Sequence, residues 1–159
     1  MIDRPDFARE MRRGEEAAID VLLETSFGGT EEIALIHALR KARVVAGEQV
    51  LPMGESIVGY YALSYMIKPK GWLCLAPVAI APVMQNKGHG RRMIGMLTEW
   101  ARLTKTPVVV LGATGFYERS GFSWQDAQTL SGPFPIMNTL VAGLEAPARG
   151  QLIYPKAFG

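Results

Sequence analysis

The sequence contains few of the residues that carry redox or metal chemistry. Among its 159 residues are one cysteine, Cys74, and two histidines. A lone cysteine cannot form a disulfide within the chain, so we expect a reducing, cytoplasmic environment. Cys74 lies in an apolar run with no histidine close in sequence, which indicates a small buried hydrophobe rather than a nucleophile. So few histidine and cysteine ligands also fall short of the usual zinc sites, and we predict no metal.

Long apolar runs are absent as well. The longest, residues 72–84, holds two prolines and is shorter than the roughly 18–20 residues that a membrane helix needs. The N-terminal segment 1–13 is strongly charged, unlike a secretory signal. With 48% hydrophobic and 20% charged residues, the composition is that of an ordinary globular protein. We therefore expect one domain over residues 1–159, with a mobile end at residues 1–10, and no membrane partner.

The two halves of the chain differ in charge, although the net charge is only +2. Residues 1–67 hold 7 Lys and Arg against 11 Asp and Glu, whereas residues 68–159 hold 10 against 4. A basic half favours an anionic ligand, and an acidic half would suit a cationic one such as an amine. Alternatively, both halves are ordinary solvated surfaces, and for the acidic half this interpretation is at least as good.

The most informative stretch is a glycine-rich turn, Gln85–Arg91, between an apolar strand, Leu73–Ile80, and a helical pattern from Met93 to Leu103. Backbone N–H groups at a helix start have no partner within the helix, and the helix dipole there favours anions. Glycines allow a bulky phosphate to approach the backbone closely. Fixed positive charge is added by Lys87, Arg91 and Arg92. The turn therefore predicts a site for phosphate or pyrophosphate.

Two well-known phosphate loops do not fit this turn. A Walker A loop needs Gly-Lys followed by Ser or Thr, but here Lys87 precedes the glycine. A dinucleotide-binding fingerprint needs a third glycine at the position of Met93. What remains is Gln-x-x-Gly-x-Gly after an apolar strand that ends Pro-Val-Ala-Ile.

A second block follows at a short distance. It consists of an apolar strand, Val108–Gly112, and the run Phe-Tyr-Glu-Arg-Ser-Gly-Phe over Phe116–Phe122. The two blocks in this order resemble the acetyl-coenzyme A site of the GNAT acetyltransferase superfamily. The resemblance extends over Glu15–Phe158, and the C-terminal tail is similar to that of a bacterial branch of uncharacterised predicted N-acetyltransferases.

The resemblance implies an α/β (α+β) fold, in which helices flank a mixed, mostly antiparallel central sheet. The sequence pattern agrees, because an antiparallel meander is followed by a strand–helix–strand unit. We expect a first strand near Arg12 and Arg13, and close packing around Gly95. The sheet-facing side of the helix from Gly88 to about Thr104 is predicted to carry Met93, Leu97, Trp100 and Ala101.

The same resemblance assigns the cofactor contacts. The main chain of Val78, Ala79 and Ile80 would bind the pantetheine arm, with the side chains of Val78 and Ile80 in the core. The pyrophosphate would be held by the turn, with Gln85 nearby, at Lys87, Gly88, His89, Gly90 and Arg91. Acetyl-CoA is thus the expected co-substrate.

Tyr117 is the predicted general acid, because a phenol near the sulfur could protonate the departing thiolate. The alternative is an aromatic side chain that only packs beside the pantetheine. Relatives often carry Asn where this chain has Gly112, so one contact to the cofactor arm is expected to be missing. No general base is assigned: Glu32, His37, Glu48 and Glu55 are candidates from the acidic half, and the amine could also lose its proton to solvent.

We therefore predict an acetyltransferase that moves an acetyl group from acetyl-CoA to an amine by direct transfer in a ternary complex. The acceptor would be a small-molecule or peptide amine, and the pairing of many relatives makes a homodimer one candidate assembly. The alternative is a catalytically weak CoA-binding module for regulation or interaction. A transferase that acts on nucleic acid ranks last, because coenzyme A accounts for the charge of the basic half, which has no basic run with interleaved aromatic residues.

Overall fold

A computed structural model describes residues 5–159. The helices are α1, Glu16–Phe27; α2, Glu31–Lys41; α3, His89–Thr104; and α4, Thr114–Arg119. The strands are β1, Arg9–Glu10; β2, Val45–Met53; β3, Ser56–Tyr65; β4, Leu73–Ile80; β5, Val108–Leu111; β6, Leu130–Ser131; β7, Thr139–Ala142; and β8, Gly150–Gln151. Within the described residues, no helix is both long and apolar enough to cross a membrane.

Six strands form one sheet in the order β1-β2-β3-β4-β5-β7, and β6 and β8 form a separate parallel pair. Only β4 and β5 are parallel within the large sheet, because the chain crosses between them through α3. All other neighbours in that sheet are antiparallel. This is the mixed, mostly antiparallel sheet flanked by helices that was predicted.

Each face of the sheet is covered by its own helices. Helices α1 and α2 pack on one face, around the fully buried Ile19, Leu23 and Tyr60. Helix α3 packs on the other face through Met93 and Leu97, which are 1% and 3% exposed. Alternating residues of β3 and β4 point to opposite faces, so both layers are built from the same strands.

The C-terminal segment packs on the face of the sheet opposite α3, against Cys74 of β4, Val109 of β5 and Val141 of β7. Tyr154 packs edge-on against Phe134 at 5.1 Å between ring centroids and lies 5.8 Å from Phe158. These rings cover a cluster that contains Cys74, which is 2% exposed. The prediction that Cys74 is a buried hydrophobe is therefore confirmed for its environment.

The strand at the edge of the sheet, β1, lies earlier in the chain than predicted. The first strand is Arg9–Glu10, whereas Arg12 and Arg13 belong to the turn before α1. Glu15 holds this turn, because its carboxylate accepts bonds from the Arg12 N–H at 2.6 Å and the Arg9 guanidinium at 2.7 Å. Of the expected mobile end, residues 1–4 lie outside the described residues.

Two expectations about α3 are wrong. Trp100 was placed on the buried face, but it is 42% exposed. Met93, Leu97 and Ala101 recur every four residues and face the sheet directly, whereas Trp100 lies at the edge of this stripe. Gly95 was expected to be closely packed, yet a methyl group added there would meet nothing within 4 Å.

Candidate functional site

The central feature of the site is a split in the sheet between β4 and β5. The two strands pair only at Leu73 with Val108 and at Cys74 with Val109. Beyond that point they separate, and the register of β4 against β3 shifts between Leu75 and Val78. One extra residue in β4 at this place forms a bulge, which bends the strand away from its neighbour. Main-chain groups of β4 therefore border an opening in the sheet.

The glycine-rich turn lies at the end of β4 and leads into α3. Asn86 and Gly88 both have left-handed backbone conformations, with φ of 63° and 83°. No side chain caps the start of α3. The first N–H groups of the helix, at His89, Gly90 and Arg91, therefore remain available as donors for an anion.

The cations of the turn are not equivalent. Lys87 and Arg91 are exposed at the turn, and Arg91 Nε donates to the Arg119 carbonyl at 3.1 Å. Arg92 was expected to add charge to the anion site, but its guanidinium bonds to the Asp6 carbonyl at 3.2 Å and lies over the Phe7 ring. Arg92 therefore fastens the N-terminal segment to α3.

The environment of the turn lowers the pKa of His89. Partial burial, together with the positive charges of Arg92 and Lys87, lowers the pKa of its imidazole below the ordinary value. The lowered pKa favours the neutral form of His89, which suits a residue that offers its backbone N–H rather than a charge.

A cavity of about 410 Å³ connects the turn to the split in the sheet. Seven of the ten predicted site residues line it: Val78, Ile80, Gln85, Gly88, Gly90, Arg91 and Tyr117. The three others do not: Ala79 is buried in the core under α1 and α2, Lys87 is exposed, and His89 is half-buried. Val78 and Ile80 are only half-buried, so their side chains border the cavity rather than lie wholly in the core.

Four further residues line the cavity and were not predicted: Met84, Asn86, Phe116 and Arg119. Phe116 and Arg119 belong to the second sequence block, which singled out only its tyrosine. Phe116 and Arg119 lie three residues apart in α4 and therefore share the helix face that borders the cavity. A methyl group on Gly90 would lie 3.3 Å from both Phe116 and Ile80, so glycine is needed for this close approach.

The Ile80 carbonyl joins three parts of the site. It accepts hydrogen bonds from Gln85 Nε2 at 2.9 Å and from Ser26 Oγ at 3.2 Å. These bonds connect the end of α1, the end of β4 and the turn. Gln85 thus positions the strand end that borders the cavity.

Tyr117 lies at the inner wall of the cavity. Its ring is 9% exposed and makes edge contacts with Phe116 and Phe122, at centroid distances of 5.0 and 5.6 Å. Its hydroxyl makes no hydrogen bond to any of residues 5–159. Burial raises the pKa of the Tyr117 phenol to about 12, so it holds its proton at neutral pH.

Gly112 lies directly against this tyrosine. With φ of 151°, an added methyl group would be 3.1 Å from the Tyr117 ring. The Gly112 N–H is bonded to the Asn138 carbonyl at 3.1 Å. Glycine at this position therefore gives the tyrosine ring room at the end of β5.

None of the candidate bases lines the cavity among the described residues. His37, one of these candidates, pairs with Asp20 at 2.9 Å on the surface. Glu48 pairs with Arg40 at 2.7 Å and accepts a hydrogen bond from Tyr60, so its carboxylate belongs to a partly buried network. Glu55 is exposed in the β2–β3 turn.

Main-chain groups at the split in the sheet and free N–H donors at the start of α3 border one cavity, which suits an extended ligand that carries an anionic group. The model of the acetyltransferase (GNAT) family matches residues 17–122. The chain therefore belongs to the GNAT acetyltransferase family. Among curated proteins, no sequence matches it.

Solved structures support the fold over the whole chain. A GNAT family N-acetyltransferase, YhbS of Escherichia coli, in complex with CoA, is 23% identical over 99% of this chain and 96% of its own, with a TM-score of 0.84. A GNAT family acetyltransferase of Brucella melitensis in complex with acetyl-CoA is 24% identical over 99% and 100%, with a TM-score of 0.80. The E. coli ribosomal-protein-S18-alanine N-acetyltransferase is 12% identical over 84% and 89%, with a TM-score of 0.62.

Proposed function

We propose that the protein transfers an acetyl group from acetyl-CoA to a primary amine, directly and in a ternary complex. The observation that carries this proposal is one cavity that joins the uncapped start of α3 to a protonated Tyr117. The end of the cavity at α3 would bind the pyrophosphate of acetyl-CoA, and the end at Tyr117 would supply an acid beside the thioester. Similar proteins crystallised with CoA and acetyl-CoA add support.

The residues of this chain fit the co-substrate at three places. The N–H groups of Gly88, His89, Gly90 and Arg91 would bind the pyrophosphate, with Lys87 and Arg91 as counter-charges. The main chain of Val78, Ala79 and Ile80 at the split would bind the pantetheine amides. Arg119 adds a second guanidinium to the cavity wall, next to Arg91.

Acetyl-CoA supplies the activated acyl group, and the protein supplies orientation and a proton. Tyr117 would donate the proton of its hydroxyl group to the leaving thiolate, and its phenolate would then regain a proton from water. Direct transfer is favoured because Cys74, the one thiol, is buried away from the cavity, and burial raises its pKa to about 12. It would be protonated and unreactive at neutral pH.

The acceptor would be a small-molecule or peptide amine that approaches from the acidic half of the chain. The C-terminal end of α1 and the C-terminal segment border this side of β4, through Ser26 and Phe158. Since no carboxylate lines the cavity among the described residues, the amine would lose its proton to water. The lack of a carboxylate in the described lining of the cavity also favours a second candidate function, a CoA-binding module with weak catalysis.

Thermal shift with acetyl-CoA, CoA and ATP tests the cofactor assignment. A ligand that binds only the folded state raises stability by RT ln(1 + [L]/Kd). We expect stabilisation by acetyl-CoA and CoA but not by ATP, and release of thiol when an amine acceptor is added. Stabilisation without thiol release over a broad amine panel would favour the module. No stabilisation by either coenzyme would refute the cofactor site.

A substitution at the turn tests the position of the site. Lys87→Gln should weaken CoA binding about threefold and reduce its salt dependence, since an exposed charge is worth at most about 1 kcal/mol. Lys105→Gln, which removes an exposed lysine at the far end of α3, is the matched control. Equal affinity in the Lys87 and Lys105 variants would contradict the assignment.

A further inference from the structure

A second cavity, of about 510 Å³, lies on the α3 face of the sheet, away from the cofactor cavity. We name it the β1–α3 groove. Its floor consists of buried apolar residues: Tyr61, Leu63, Leu73, Met93 and Leu97. Its rim carries large exposed apolar side chains, Tyr65, Met96 and Trp100, which are 53%, 48% and 42% exposed. The volume falls within the range of small-molecule pockets, about 300–1,000 Å³.

The groove exists because the outer strands carry little side-chain volume on this face. Ala8, Ala46 and Gly47 line it, and the register of β2 against β3 shifts between Val45 and Gly47. A methyl group added at Gly47 would meet nothing within 4 Å. Helix α3 covers the neighbouring strands but leaves this part of the sheet open, which is also why Trp100 is exposed.

One row of polar groups leads from the buried Tyr61 on the floor to the exposed Glu10 at the edge of the groove. Glu10 pairs with Gln49, and Gln49 pairs with Tyr61, in neighbouring strands, so the three side chains project from the same face. The Tyr61 hydroxyl is in a residue only 7% exposed and makes no hydrogen bond within residues 5–159. Burial raises its pKa to about 12, so it is a neutral donor and acceptor.

The charge of the groove has one sign. Glu10 is its only ionisable carboxylate, it forms no salt bridge in the described part of the chain, and none of the described lining residues is Lys, Arg or His. Tyr65 and Trp100 present aromatic rings at the rim. Aromatic faces and a carboxylate both attract an organic cation.

We propose that the β1–α3 groove binds a small organic amine with an aromatic or branched apolar body, at a site separate from the proposed acetyl transfer. The apolar part would lie on Leu63, Met93 and Leu97, and the ammonium group would lie near Glu10. This site does not depend on the proposed function, because it shares no lining residue with the cofactor cavity.

Three probes of similar shape test the proposal: 2-phenylethylamine, 2-phenylethanol and 3-phenylpropionate, which are cationic, neutral and anionic at pH 7. The chain has three tryptophans, so ¹⁵N spectra of the indole N–H groups give three signals. Trp100→Phe identifies the signal of the groove. We expect the amine to shift that signal and to bind about three- to fivefold more tightly than the alcohol. The measurements are made with and without saturating CoA, so that binding elsewhere is recognised.

Two variants separate charge from shape. Glu10→Gln should remove the advantage of the amine over the alcohol. Gly47→Phe should fill the groove and abolish binding of every probe, whereas Gly47→Ala, the matched control, should retain it. Equal binding of the amine and the anion, or an unchanged response in Gly47→Phe, would overturn the proposal. A Trp100 signal that moves with protein concentration alone would show that a second copy of the chain covers the groove, and would overturn it too.

Discussion

Replacement of Tyr117 by phenylalanine tests the proposed chemistry most directly. The change removes one oxygen atom and leaves the ring between Phe116 and Phe122 in place. Because the hydroxyl makes no hydrogen bond within residues 5–159, no intramolecular bond is lost. Removing a buried hydroxyl without a partner is close to neutral, so we expect the free energy of unfolding to change by less than about 1 kcal/mol. For a chain of this length that is a shift in Tm of about 2–4 °C at most.

The effect on catalysis should be much larger. General acid catalysis contributes typically about 10²–10⁴-fold, so kcat for thiol release should fall at least about 100-fold in Tyr117→Phe. The affinity for acetyl-CoA should stay close to that of the wild type, because the anion site is elsewhere. Since the pKa of Tyr117 is raised to about 12, the wild-type rate should show no loss from its ionisation up to about pH 10.

Tyr154→Phe is the matched control for this experiment. Tyr154 is also buried, its hydroxyl has no hydrogen-bond partner among the described residues, and its pKa is raised to about 12 by burial. It lies in the C-terminal cluster and not in the cofactor cavity. An unchanged kcat in Tyr117→Phe, or an equal loss in both variants, would refute the role of Tyr117 as the acid.

Three predictions concern stability and are measured by urea or thermal unfolding. Gly95→Ala should stabilise the protein by about 0.5–1 kcal/mol, because the methyl group has free space in the middle of α3; a loss would contradict the open surface there. Gly121→Ala should destabilise it by about 2–3 kcal/mol, since φ is +106° and the new Cβ would lie 2.3 Å from Thr98 Oγ1; near-neutral behaviour would be the contrary result. Hydrogen bonds from Arg9 and the Arg12 N–H lower the pKa of Glu15 to about 2, below its ordinary value of 4.5, so its contribution is present above about pH 4.5 and lost as pH falls toward 2. Glu15→Gln should therefore lower Tm at pH 6 and match the wild type near pH 2; a difference independent of pH would contradict this assignment.

The sequence predicted the parts of the fold where one residue pattern dominates. Strands β3 and β4 are apolar on both faces because helices cover both sides, and β4 has the bounds of the predicted apolar strand, Leu73–Ile80. Strand β1 was misplaced because it has only two residues and is polar. Its position depends on hydrogen bonds to β2 and to Glu15, which no local pattern reports.

The site was predicted in part for a similar reason. The turn and the tyrosine belong to compact motifs, so most of the cavity followed from them. The orientation of Arg92 did not, because Asp6 and Phe7, more than eighty residues earlier, take its side chain away from the turn. The β1–α3 groove was also beyond prediction, since it results from side chains missing on two strands and one helix at once.

Gly112 departs from the family pattern, and the structure changes the interpretation of that departure. From the sequence, Gly112 replaces the Asn of many relatives and removes one expected contact to the cofactor, which favours weak catalysis. In the structure a side chain at this position would press on Tyr117, whose ring is 3.1 Å from the site of the missing Cβ. The backbone N–H of Gly112 is already occupied by Asn138. Glycine at the end of β5 therefore supports the position of the proposed acid, and the absence of Asn does not by itself indicate an inactive protein.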